Sequence, residues 1–129
     1  MKKILTFSVV LSVVFSQGHA VRAAGQTGPP DLTGRWKLDL AIKARAFDQD
    51  CAFAHLDNTL TGICKGEQGL TRIEGSVDGK RVTWSCQSDY NGSAVTVRFD
   101  GTLSDGKVTG KVIVNPIGAG GDFVAVPNQ

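Results

Sequence analysis

The 129 residues carry 14 basic and 12 acidic side chains, a formal net charge of +2. Three of the basic ones, Lys2, Lys3 and Arg22, lie in the first 23 residues, and beyond them 11 basic residues face all 12 acidic ones. A balance so close to neutral argues against a basic surface for nucleic acid or an anionic membrane, and the roughly 106 residues that remain exclude a second domain.

The opening segment reads as a sorting signal. Lys2-Lys3 gives a positive start, and Ile4 to Phe15 is an apolar run of 12 residues, too short to cross a bilayer stably as a helix. Small residues follow in HAVRAAG, the order a secretory signal peptide requires. Cleavage fits after Ala20, Ala23 or Ala24, best after Ala23, where Val21 and Ala23 form a small-residue pair. The short Lys-Lys start is of bacterial type. The expected organisation is a signal peptide over 1–23, a Gly/Pro-rich linker over 24–31 and one folded domain over 32–127, exported to the periplasm or medium with no membrane span in the mature chain. No cysteine follows the cut, so no lipid anchor is expected.

Short runs punctuated by turn residues then follow, the pattern of an all-β chain. Trp36, Leu38, Leu40 and Ile42 alternate with Lys37, Asp39 and Lys43, a strand with one buried face. AIKARAF, Ala41 to Phe47, has the composition of a turn of helix. Two strands are expected on either side of Asp57-Asn58. Arg72 to Val77 is the next, and Asp78-Gly79 turns it into Val82-Thr83-Trp84-Ser85-Cys86. Asn91-Gly92 turns the chain again; with Ser93 it spells a glycosylation sequon, read here as a plain turn. Val95, Val97, Phe99 and Leu103 alternate with polar residues, Asp105-Gly106 leads into Val108, Val112 and Val114, and a last short strand runs from Asp122 to Val126.

About eight sequential antiparallel strands are best closed as a single up-and-down barrel, which leaves no exposed edge. A two-sheet β-sandwich is the alternative. Gly34, Gly62, Gly75, Gly101 and Gly110 fall on or near the inward phase, where they let strands bend and coil.

Taken in order, Gly34-Arg35-Trp36, Leu60-Thr61-Gly62, Val77-Asp78-Gly79 with Val82-Thr83-Trp84, Gly101-Thr102-Leu103 and Gly121-Asp122-Phe123 make a series of the type GxW, LTG, VDGxxVTW, GTL, GxF. The series resembles that of small β-rich domains exported by bacteria. The resemblance covers Asp31 to Val126 and implies a lipocalin-like, or calycin-like, barrel without bringing an activity. Gly-x-Trp near the first strand is also similar to the opening of lipocalins and avidins. The last strand, DFVAVP, lacks the Arg that lipocalins place over that Trp, and two tryptophans are fewer than avidins use.

Chemistry has few residues to work with. His19 lies in the signal, which leaves His55 as the one histidine for any relay, and no nucleophile elbow, Cys-x-x-Cys or His-Glu-x-x-His occurs. Asp48 and Asp50 read as solvated turn residues rather than a calcium or acid-base pair. Gly118 to Gly121 precedes a strand rather than a helix, so it reads as a turn and not a phosphate cradle. No enzyme, no cofactor and no metal site is expected.

CAFAHLDNTLTGIC, Cys51 to Cys64, sets a metal site against a disulfide. With Asp57-Asn58 as a two-residue turn, Cys51 faces Cys64 at a non-hydrogen-bonded position, where the Cα atoms come closest. His55 then lies four residues of strand away, roughly 13 Å, too far to share a metal with the sulfurs. The expected bridge is Cys51–Cys64 and the expected free thiol Cys86, in phase with Val82 and Trp84; Cys64–Cys86 is the competing pairing, and a bond from Cys86 to another chain stays open.

Two functional classes remain: a binding module for a small apolar ligand held within the barrel, or a protein-binding accessory or inhibitor domain of the envelope with a fully packed core. About twenty large inward residues favour packing, while inward glycines leave room beside them. For a ligand, the expected contacts are Trp36, Phe53, Trp84 and Phe99, with no charged residue in phase to grip a polar group.

Overall fold

The computed structural model of the protein describes residues 30–128. The expected signal peptide and nearly all of the linker lie outside them. Eight strands follow one another: β1 (Gly34–Ile42), β2 (Arg45–Leu56), β3 (Thr59–Gly66), β4 (Gly69–Asp78), β5 (Arg81–Tyr90), β6 (Ser93–Ser104), β7 (Lys107–Asn115) and β8 (Ala119–Pro127). Each pairs antiparallel with the next, and β1 pairs with β8 from Trp36↔Pro127 to Ile42↔Gly121, which closes the barrel. The described residues contain no helix.

Most turns are where the sequence puts them. Asn91-Gly92 and Asp105-Gly106 have positive φ at both central positions, the hairpin geometry that matches strand twist. At the β4–β5 turn the central pair is Gly79-Lys80, one residue beyond the expected Asp78-Gly79, and Gly79 takes the positive φ of 61°. Ala41 to Phe47 is not helical. Lys43 and Ala44 form the tight β1–β2 turn at φ 52° and 65°, with Ile42 opposite Arg45, because the two flanking strands pair along their whole length and override local preference. The last strand begins at Ala119 rather than Asp122, since pairing with β7 reaches Val114↔Ala119 and takes Gly120 and Gly121 into the sheet.

Inward side chains alternate along every strand and meet in one core, from Trp36, Leu38 and Leu40 on β1 to Phe123 and Ala125 on β8. Rings fill its centre. Trp84 stacks on Phe99 at 4.9 Å, and Phe53 and Phe123 meet its edge or face at 5.3 Å. The rings fit because glycine stands opposite them: Phe53↔Gly62, Trp84↔Gly75 and Phe123↔Gly110. A Cβ on Gly75 would run into the Thr83 carbonyl and sit 2.6 Å from the Trp84 Cα, so that position admits no side chain.

The chain enters at one end of the barrel, which is closed. Leu32 is buried there beneath the β2–β3 end, its carbonyl accepting the Trp36 Nε1–H at 2.9 Å. His55 holds it in place: Nδ1 accepts the Leu32 N–H at 3.1 Å while Nε2–H donates to the Asp57 carbonyl at 2.8 Å. The β1–β2, β3–β4, β5–β6 and β7–β8 connections ring the opposite end.

Candidate functional site

The opposite end is open. A cavity of about 160 Å³ lies inside it, with Leu40, Phe47, Val95, Val97, Phe99 and Val114 among its walls. Its mouth carries Asp48, Glu67, Gln68, Asp89 and Tyr90. The reason lies in the side chains that β2 and β5 carry here. On β5 the inward series runs Val82, Trp84, Cys86, Ser88, and on β2 it runs Phe53, Cys51, Gln49 before Phe47, so small or polar groups interrupt the apolar lining. The barrel interior is wide enough for one small ligand where side chains do not fill it. Val95, Val114 and Ala119 form a separate small apolar cluster at the open end, across from the ring-filled core.

Of the four expected ligand contacts, only Phe99 lines this cavity. Trp36, Phe53 and Trp84 are buried against one another in the packed half, with ring centroids 5.3–6.0 Å apart along the series. The room expected beside the tryptophans is taken up by Leu32 and Phe123 instead. Acidic groups do reach the mouth, where Asp48 and Asp89 stand at the rim although both are in the outward phase of their strands. Asp48 is partnered by Lys37 at 3.7 Å.

Cys51 and Cys64 are bonded, their Cα atoms 4.0 Å apart, in the register the Asp57-Asn58 turn dictates. Cys86 is the free thiol, half-buried on the cavity wall. Burial raises its pKa, which keeps it a protonated thiol and a poor nucleophile near neutral pH. His55 is committed to the Leu32 and Asp57 backbone at the closed end, far along the barrel from the cavity. Among the described residues no three His, Cys, Asp or Glu side chains converge to hold a metal. Asp50 is exposed on the outer face of β2, as is Asp48.

The chain matches no model of a known protein family and no curated protein. Its own geometry therefore carries the functional reading.

The position of the cavity was the part that sequence reasoning missed. The signal for it was present, in the inward Gln49, Thr71 and Ser88, whose polarity marks the end of the barrel where the core is incompletely filled.

Proposed function

We propose that this domain is a non-enzymatic binding module whose open end takes up a small apolar ligand group. The observation that carries the reading is the cavity of about 160 Å³ with an apolar floor and a polar mouth. An apolar cavity of about 150 Å³ is enough to admit benzene, so the fitting group is one aromatic ring or a short branched chain, not a long lipid tail. The half-open wall keeps the site reachable from solvent, and the packed half below it holds the walls in place. Residues 1–23 and the Cys51–Cys64 bridge support export to an oxidising compartment, the periplasm or the medium, and the resemblance to exported β-rich domains fits the same place.

The test uses purified, delipidated protein titrated with toluene and with a polarity-sensitive dye while tryptophan emission is followed. Trp84 stacks on Phe99, which lines the cavity, so a saturable change in emission and displacement of dye by toluene are expected. A flat response to both, with no dye bound by the folded protein, overturns the proposal.

A further inference from the structure

Between β4 and β5 the wall of the barrel comes apart. The ladder joins Glu74–Asp78 to Arg81–Ser85 and stops, although β4 begins at Gly69 and β5 continues to Tyr90. The alternation of antiparallel bonding identifies the groups left over. On β4, Gly69, Thr71 and Ile73 exchange their bonds with β3, a phase fixed by the tight Gly66↔Gly69 turn and continued by the Val77 N–H to Asn58 carbonyl bond at 3.0 Å. The main-chain groups of Leu70 and Arg72 are thereby turned towards β5. On β5, Cys86 and Ser88 exchange bonds with Val97 and Val95 of β6, which turns the main chain of Gln87 and Asp89 towards β4. No strand pairs with these four residues across the seam, among the described residues.

The seam opens into the cavity. Thr71 and Cys86 line both the cavity and the groove outside it. One exposed side-chain hydrogen bond, Ser88 Oγ–H to Gln68 Oε1 at 3.2 Å, spans the gap, and it is weak enough to be displaced. Unpaired strand edges take up a further extended chain, with main-chain bonds supplying affinity and pockets for alternate side chains supplying specificity.

We propose that the seam binds an extended peptide of about four residues as an added strand, one of whose apolar side chains is the group that fills the cavity. The proposal rests on the reading of the cavity as an apolar site and names its occupant. Free amide and carbonyl groups on both edges call for a backbone, which a lipid or a hydrocarbon lacks. The cavity volume suits a single ring or branched side chain. Side-chain alternation sends the residues beside that anchor outward, near Leu70, which is 72% exposed. Glu67 and Asp89 line the mouth of the cavity, and Arg72 and Glu74 line the groove outside it, so the seam carries charges of both signs.

The probe is acetyl-Lys-Val-Phe-Val-Lys-amide, added to the isotope-labelled protein while backbone amide resonances are followed. Saturable shifts at Leu70, Arg72, Gln87 and Asp89 are expected, and toluene should compete. Replacing the Phe of the peptide by Ser, or N-methylating its Phe and Val amides, should each weaken binding by about tenfold or more. Toluene binding without any peptide-induced shift at the seam overturns the peptide and leaves the apolar site standing, whereas silence to both removes both. Equal binding of the N-methylated peptide overturns strand addition. A dimer by sedimentation in the free protein, with these four amides protected from exchange, gives the seam to a second copy and also overturns the proposal.

Discussion

The closed half and the open half of this barrel are made from the same eight strands, and they solve the problem of the interior differently. In the closed half five rings and Leu32 interlock, glycines opposite the rings let them lie flat against the wall, and every strand is paired on both sides. In the open half Cys86, Ser88, Thr71 and Gln49 interrupt the apolar wall of Phe47, Val95, Val97 and Val114, a cavity remains, and one seam between β4 and β5 is left without a ladder. Close packing of large side chains makes a region rigid and intolerant of change, and its absence makes a region available to a partner. On the proposed function, stability and recognition fall to opposite ends of one short cylinder.

Substitutions can break or sharpen that division. The largest effect is expected from Trp84→Ala in the packed half. Removing a ring that touches Phe53, Phe99 and Phe123 should cost about 3–5 kcal/mol by chemical denaturation. A loss below about 1 kcal/mol would mean that the core is not packed as described. Next comes the pair Cys51→Ala with Cys64→Ala. The bridge closes about 14 residues and is worth about 3 kcal/mol in the chain-entropy model. Intact mass of the wild type before and after reduction should differ by a single bridge, with Cys86 alone labelled beforehand.

His55→Phe tests the plug. It removes the acceptor for the Leu32 N–H and leaves a buried donor unpaired, at about 1–2 kcal/mol, with faster amide exchange at Leu32 as the direct sign. If Leu32 exchanges no faster than in the wild type, the histidine is not what holds it. Val97→Phe, in the open half, adds bulk to the cavity wall. Its effect on stability should be within about 1 kcal/mol, because the added ring enters existing space, while toluene and dye binding are lost. A strong destabilisation would show that the open half is as tightly packed as the closed one.

The smallest effect is expected from Asp100→Asn on the outer surface. Arg81 donates to this carboxylate at 2.8 Å, and that hydrogen bond holds the Asp100 pKa below its ordinary 3.8. A depressed carboxylate pKa gives stability that is present above the unfolded value and is lost as pH falls through the folded one. The pair is exposed and screened, so the wild type should melt only slightly above the variant at pH 7, and that difference should vanish only once pH falls below the folded-state pKa of Asp100, which lies under 3.8.

Much of the closed half could be read from the chain. The Asp57-Asn58 turn fixed one hairpin register residue by residue, and with it the disulfide. Glycines in phase with the core were read as bending points and as room for a ligand, and the structure gives the room at Gly62, Gly75 and Gly110 to rings instead. Alternation, however, says which face a residue takes and not how far along the axis it lies. Trp36 and Trp84 were both placed inside by their phase, but the stagger of the strands puts them in the filled half. The seam was hidden in the same way, since alternation continues through Gly69 to Ile73 and does not say where β4 and β5 cease to pair. Lys43-Ala44 carries no glycine or asparagine to announce a turn, and only the pairing around it imposes one.

Trp36 lies beside Pro127, and the Asn128 N–H donates to the Arg35 carbonyl at 2.8 Å, so the described chain arrives and departs side by side at the plugged end. A tether attached at either point would hold the cylinder by its base, mouth outward. The same adjacency makes the strand order circular in effect. A short linker joining Asn128 back to Pro30, with a new break at the exposed Asn91-Gly92 turn, would leave all eight ladders in place while moving the loose ends to the rim of the cavity, where they would stand in the path of whatever enters.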